Sequence, residues 1–220
     1  MVKGINQANL VRSLRLYLVT DEASLIGRTL IDVVVAAAHG GVTCVQLREK
    51  TLCTRDFVAK AVALKKALAP FEIPLVINDR IDVALACEAE GIHLGQSDMP
   101  PDLARRMLPQ NVFIGWSVEN ANHLAQSKVL QDASCVDYLG VSPVFFTATK
   151  SDIAKPWGLS GVRQVRQAST LPLVAIGGVN TSNAAELLSA GADGLAVVSA
   201  ICSAVDPTQA ARDLCQSMDL

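Results

Sequence analysis

Eight short apolar runs alternate with stretches of helical spacing along almost the whole chain. The runs are Leu14–Val19, Cys44–Leu47, Pro74–Ile77, Ile92–Gly95, Phe113–Ser117, Tyr138–Val141, Leu173–Ile176 and Gly194–Val198. Short, continuous apolar runs of this kind read as strands buried on both faces. Between them the apolar period changes. Phe57, Ala61, Leu64 and Leu68 fall on one helical face, with Thr54 placed as the N-cap. Pro100-Pro101 predicts a second helix start, because proline suits the first turn. Asn180 to Asn183 offers caps ahead of a helix over 184–190, and Gly191 suits its stop.

Strand–helix alternation predicts βαβ units around a parallel sheet. Eight such units predict an α/β fold, a single (β/α)8 TIM barrel over residues 1–220. Residues 1–13 would be an N-terminal extension or a segment covering the barrel bottom. An open doubly wound sheet is the alternative. It would normally carry a G-x-G-x-x-G turn after the first strand, and none follows here.

Composition narrows the class further. Half the residues are hydrophobic but only 4% are aromatic, which suits tight packing of Ala, Val, Leu and Ile between strands and helices. The net charge of −2 offers no basic field for nucleic acid. The stretch Ile31 to Ala38 is too short to span a membrane, and the polar Met1 to Asn9 lacks the apolar core of a signal peptide. A cytoplasmic location is expected. The six cysteines form no C-x-x-C pair and read as small apolar packing residues. His39, His93 and His123 lack metal-ligand spacing and read as structural.

In a barrel, chemistry collects at the C-terminal ends of the strands. Polar residues gather there in nearly every unit. After the second run, alternation places Gln46, Arg48 and Lys50 on one side. Arg48 and Lys50 are suited to phosphate oxygens, one as a planar fork and the other as a mobile point charge. The third run leads into Asn78-Asp79-Arg80, and the fourth into Gln96-Ser97-Asp98. Asp79 and Asp98 lie on neighbouring units. They can hold Mg²⁺, which takes one or two carboxylates plus phosphate oxygens and water, or they can serve as an N-cap and a turn residue. Ser117 ends the fifth run with no triad partner. A long loop after the sixth carries Thr147, Thr149 and Lys150. Gly177-Gly178 after the seventh run and Val198-Ser199 after the eighth occupy the usual phosphate-binding quarter of this fold.

Taken together, these motifs resemble thiamine phosphate synthase. Those that carry the resemblance are Q-L-R-E-K at 46–50, I-N-D-R at 77–80, H-L-G-Q-S-D at 93–98, F-F-T-A-T-K at 145–150, I-G-G at 176–178 and V-V-S at 197–199. They occur in the family's order and cover nearly the whole chain after the N-terminal stretch. The resemblance implies a transferase of thiamine biosynthesis. It would join an aminopyrimidine methyl diphosphate to a thiazole phosphate and release pyrophosphate, with Mg²⁺ as cofactor. It further implies that Asp79 and Asp98 ligate the metal. Gln46, Arg48, Lys50, Asn78, Ser117 and Lys150 would hold the pyrimidine diphosphate. Thr147, Thr149, Gly178, Val198 and Ser199 would contact the thiazole phosphate. Arg48, Lys50 and Lys150 would stabilise the leaving group, with no protein nucleophile.

The implied partners are phosphorylated small molecules, with neither nucleic acid nor membrane, and a homo-oligomer is left open. The related thiazole tautomerase is the alternative. It carries a histidine where this chain has Pro143 and a cysteine where it has Thr149, so both positions favour the synthase. Phe146 and Trp116 depart from the usual synthase pattern and are expected to bear on the pocket. An unrelated sugar-phosphate barrel would want a strand-end lysine for a Schiff base or a rim acid–base pair, and Lys50, Asp79 and Asp98 leave that reading open; a non-catalytic relative would have damaged ligands, whereas Asp79, Asp98 and Lys150 are all present.

Overall fold

The protein is described here from a computed structural model, which covers residues 7–147 and 155–218. Helix α1 (Gln7–Ser13) precedes strand β1 (Leu16–Val19). There follow α2 (Leu30–His39), β2 (Cys44–Leu47), α3 (Thr54–Leu68), β3 (Leu75–Asn78), α4 (Ile81–Ala86) and β4 (Gly91–Leu94). The second half runs α5 (Pro101–Met107), β5 (Phe113–Val118), α6 (Ala121–Asp132), β6 (Tyr138–Val141), α7 (Gly158–Ala168), β7 (Leu173–Ile176), α8 (Ala184–Ser189), β8 (Gly194–Val197), α9 (Ser199–Cys202) and α10 (Pro207–Met218). Each strand pairs in parallel with the next, and β8 pairs with β1, so the sheet closes as a (β/α)8 barrel. The open-sheet alternative is excluded. Among the described residues no helix is long and apolar enough to cross a membrane.

Alternation along the strands divides the apolar residues into two layers. Outward positions such as Leu47, Ile77, Ile92, Trp116 and Leu195 pack against the helices in the larger cluster. Inward positions such as Tyr17, Cys44, Val76, Phe113, Tyr138 and Ala196 fill the barrel. Helix α3 buries Phe57, Ala61, Leu64 and Leu68, the face the spacing predicts, though its N-cap is Cys53 rather than Thr54. Thr54 begins the helix, and its hydroxyl accepts a hydrogen bond from Arg80 instead. Pro101 opens α5 as expected. Of the cysteines, Cys44, Cys87, Cys135 and Cys202 are buried, Cys53 is exposed, and all six are free thiols.

The N-terminal ends of the strands are joined by a device that repeats four times. The residue before each even-numbered strand exchanges two hydrogen bonds with the start of the strand before it. Thr43 donates its N–H to the Leu16 carbonyl at 2.9 Å, and its hydroxyl accepts from Leu16 N–H at 2.9 Å. Glu90 and Leu75 do the same at 3.1 and 2.9 Å, and Asp137 and Ile114 at 2.8 and 2.7 Å. Asp193 and Leu173 complete the set at 2.8 Å in both directions. A helix cation braces each carboxylate: Lys65 at 3.2 Å from Glu90, Arg105 against Asp137, and Arg166 at 3.0 Å from Asp193. These side chains satisfy strand N–H groups that the parallel ladder leaves open at its edge. Leu10 of α1, and Leu14 after it, pack into the inward cluster beside them.

Asp193→Ala should therefore leave the Leu173 N–H without its acceptor and weaken the hold of Arg166. The expected loss is about 1–3 kcal/mol of stability, read from urea unfolding at neutral pH. An unmoved midpoint would mean that water replaces the clasp at no cost.

Candidate active site

A cavity of about 500 Å³ opens where the C-terminal ends of the strands converge. Its shape follows from a checkerboard of large and small inward residues on β4, β5 and β6. Gly91 stands beside Phe113, His93 beside Gly115, Gly115 beside Tyr138, and Ser117 beside Gly140. A Cβ on Gly115 would enter the Tyr138 ring, and one on Gly140 would lie 2.9 Å from the His93 ring. The glycines thus make room for the two rings that form the cavity floor.

On that floor the polar groups are chained together. Gln46 Nε2 donates to the Tyr17 hydroxyl at 2.8 Å, and Tyr17 and Tyr138 meet oxygen to oxygen at 3.1 Å. The Tyr138 hydroxyl lies 2.9 Å from His93 Nδ1, and Ser117 Oγ lies 2.9 Å from His93 Nε2. Burial, with the neighbouring acidic groups adding to it, pushes both phenols well above their ordinary value. Both therefore stay protonated.

The rim above β2, β3 and β4 is charged. Strand β2 ends at Leu47, yet Gln46, Arg48 and Lys50 all line the cavity, as their alternation predicts. Glu49 points the other way and is nearly buried, 2.5 Å from Lys60 of α3, which also holds Glu22 after β1 at 2.5 Å. This ion-pair cluster pins the backbone between Arg48 and Lys50. Asn78 is buried at the cavity wall. Asp79 sits at φ 64°, a left-handed conformation that Asp tolerates better than most residues. Its N–H donates to the His93 carbonyl at 2.9 Å, and its carboxylate lies 2.6 Å from Lys50 Nζ. Asp98 accepts from Gly95 N–H at 2.6 Å. Desolvation, then hydrogen bonding and repulsion from Asp79, raise the Asp98 carboxyl above its ordinary value. The two carboxylates do converge, and their proximity opposes the ionisation of Asp98.

The far side of the cavity is neutral backbone. Gly177 (φ 103°) and Gly178 (φ 68°) follow β7 in conformations suited to glycine. A side chain at Gly178 would also strike Phe145 Cβ at 2.8 Å and the Phe146 carbonyl at 2.9 Å. The loop after β6 is laid against this turn. Val144 N–H donates to the Ile176 carbonyl at 2.9 Å and Phe145 N–H to that of Gly177 at 3.0 Å. Thr147, Gly178, Val198 and Ser199 line the cavity together, and Ser199 opens the short helix α9. Thr149 and Lys150 lie outside the described residues.

Three expectations change. Trp116 does not shape the pocket: it faces the helices, buried, with its ring 6.1 Å from that of His123. Phe146 is 78% exposed and does not line the cavity. His93 is not merely a packing residue, because both ring nitrogens are engaged in the cavity floor. Its parity with Gly95 was the signal. Inward positions on one strand recur every second residue, so a histidine two before a rim glycine faces the same way. His39 remains a packing residue, edge-on to Phe71.

This geometry has counterparts among known proteins. The family model described as thiamine monophosphate synthase matches residues 16–201. The thiamine-phosphate synthase of Albidiferax ferrireducens is 66% identical over 209 residues, covering 95% of this chain and 94% of its own. That of Vibrio parahaemolyticus is 47% identical over 205 residues, covering 93% and 98%. Among solved structures, a thiamine phosphate pyrophosphorylase from Pyrococcus furiosus superposes with a TM-score of 0.86 at 34% identity, over 96% of this chain and 98% of that one. The tautomerase alternative finds no support in these relatives. A match over most of the barrel, and a relative sharing two thirds of its residues, place the chain in the thiamine monophosphate synthase family.

Proposed function

We propose that the cavity joins an aminopyrimidine methyl diphosphate to a thiazole phosphate, giving thiamine phosphate and pyrophosphate. The observation that carries this reading is the division of one cavity into two unlike ends. A charged rim of Arg48, Lys50, Asp79 and Asp98 faces a turn of glycine and backbone at Gly177–Gly178 and Val198–Ser199. The first suits a metal-bound diphosphate and the second a monophosphate.

The charged end suits Mg²⁺. Desolvation, with Asp79 adding to it, raises the Asp98 carboxyl, and Lys50 already sits against Asp79 as a positive counter-charge. Among the described residues no cluster of three or more His, Cys, Asp or Glu side chains forms a closed cage. Two carboxylates are what Mg²⁺ needs when phosphate oxygens and water supply the rest. Asp79 and Asp98 would hold the ion, which neutralises charge developing on the departing pyrophosphate.

The remaining work belongs to the chain. Gln46 and Asn78 orient the pyrimidine in the cavity. Arg48 and Lys50 bind the diphosphate, and Lys150 joins them by the family resemblance. The pyrimidine amino group can stabilise positive charge at the methylene carbon. The C–O bond therefore breaks first, and the thiazole nitrogen attacks the carbon afterwards. The glycine turn, Val198 and Ser199 hold the thiazole phosphate through backbone groups, with the hydroxyls of Thr147 and Thr149 beside it. Attack is then effectively intramolecular. No protein nucleophile is required. Free thiols at all six cysteines support a reducing, cytoplasmic location.

The test combines protein, Mg²⁺ and both substrates, and measures pyrophosphate. Release that needs both substrates is expected; no release from the complete mixture would remove the reading. Lys150→Ala should lower kcat by roughly 10²-fold with little change in KM. A rise in KM alone would assign Lys150 to uniform binding.

Asp98→Asn separates the metal role from stability. The folded-state carboxyl is raised, so its ionisation works against folding, and that penalty appears as pH rises through the folded value. Without Mg²⁺, the variant should melt above the parent at neutral pH, by roughly 1–3 °C. The gain should vanish as pH falls towards the ordinary Asp value of 3.8. Activity and its Mg²⁺ dependence should be lost together. Normal turnover in Asp98→Asn would take it out of the metal site.

A further inference from the structure

The chained groups on the cavity floor have a direction, and the direction follows from their donor inventory. Gln46 contributes an amide nitrogen, which can only donate, to the Tyr17 oxygen at 2.8 Å. Tyr17 therefore keeps its own proton for another acceptor. Tyr138 Oη at 3.1 Å is an oxygen acceptor in place, whereas the neighbouring Cys44 thiol is a weak one. Tyr138, receiving that proton, directs its own at His93 Nδ1, 2.9 Å away. An Nδ1 that accepts leaves the ring proton on Nε2, which faces Ser117 Oγ at 2.9 Å. Ser117 then accepts from the imidazole, and its hydroxyl proton is left to point into the cavity.

We propose that His93 is a positioning residue. Held as the Nε2–H tautomer by the Gln46–Tyr17–Tyr138 chain, it makes Ser117 a directed hydrogen-bond donor to the anionic leaving oxygen of the bound diphosphate.

The opposite sense has a different consequence. With the Gln46 amide turned over, its oxygen would accept from Tyr17, and every bond would reverse. His93 would carry its proton on Nδ1 and take the Ser117 proton on Nε2. Ser117 would then present a lone pair to the diphosphate, an unfavourable contact with an anion. The forward sense is the one that suits the charge in the cavity. It also accounts for the small residues around the relay. Gly140 leaves space for the His93 ring and Gly115 for the Tyr138 ring, so neither ring can be displaced without losing the contacts that set the tautomer. Fully buried Tyr17 and Tyr138 remain protonated, as burial demands, and each brings one proton to the chain.

The use of the Ser117 donor rests on the proposed synthase reaction, but the relay does not, so the two are tested apart. The sequence has three histidines, and ¹⁵N-labelled histidine gives a spectrum simple enough to assign by comparing the parent with His93→Gln. Long-range ¹H–¹⁵N correlation on the free protein should show the Nε2–H pattern for His93. Tyr138→Phe should abolish or mix that pattern. An Nδ1–H pattern in the parent, or one indifferent to Tyr138→Phe, overturns the relay. The spectrum needs no substrate and decides this whether or not turnover is seen.

For the catalytic consequence, His93→Ala and Ser117→Ala should each lower kcat about tenfold with KM for the pyrimidine diphosphate nearly unchanged. The double variant should be no worse than either single one, since both remove the same donor. Effects that multiply would show that His93 does not act through Ser117.

Discussion

Barrel closure depends on the open edge of a parallel ladder. At the N-terminal end, each odd-numbered strand has near its start an N–H that takes a side-chain acceptor, and unpaired groups next to a packed core are costly. Thr43, Glu90, Asp137 and Asp193 meet that demand, each with a side chain that answers the strand before it. The clasps couple strands in pairs, and the three made by carboxylates are themselves tied to helices α3, α5 and α7 by Lys65, Arg105 and Arg166. These clasps lie at the end remote from the cavity. The opposite end carries Asp98, whose ionisation is opposed by desolvation and by Asp79.

Between these ends the inward layer sets the depth of the cavity. A barrel of eight strands has just enough interior for side chains to fill. Rings at Phe113 and Tyr138 fill the lower half because glycines at 91 and 115 stand beside them. Above that level the inward residues become polar: Gln46, Asn78, His93 and Ser117. On β2 and β3 the change comes within one alternation, from Cys44 to Gln46 and from Val76 to Asn78, whereas β1 and β7 stay apolar at Val19 and Ile176, as does Val198 just after β8. The switch to polar residues converts a packed core into a binding floor without any change in backbone.

Much of this is legible in the sequence because alternation is a strict rule. The eight runs predict the eight strands, and the parity of Gln46, Arg48 and Lys50 predicts a shared wall although β2 ends at Leu47. The same rule explains the corrections. Trp116 and Ser117 are adjacent and so must face opposite sides, which sends the indole to the helices. His93 reads as a packing residue only when taken alone; its partners Tyr138 and Ser117 lie 45 and 24 positions away, and strand register alone brings them together. The clasps are less legible still. Thr43, Glu90, Asp137 and Asp193 look like ordinary turn residues, since nothing local distinguishes a carboxylate that caps a neighbouring strand from one that faces water. Thr54 shows the converse. It has the right type for an N-cap, but the chain enters α3 one residue earlier and its hydroxyl serves Arg80.

The two ends of the cavity also differ in how rigidly they are built, and the difference matches what each would bind. The Gly177–Gly178 turn is held by backbone hydrogen bonds from Val144 to Ile176 and from Phe145 to Gly177, and by contacts too close for any side chain. A group held there keeps one position, which suits an anchor that remains attached throughout a reaction. The charged end relies on side chains instead: Lys50 on a flexible stem, and Asp98 against a glycine N–H. Charges of opposite sign can regroup there as a leaving group acquires charge, while the Glu49–Lys60–Glu22 cluster keeps the underlying backbone still. In the proposed reaction, a fixed backbone carrying movable charges would follow the departing pyrophosphate, and the fixed glycine turn opposite would hold the attacking ring in line.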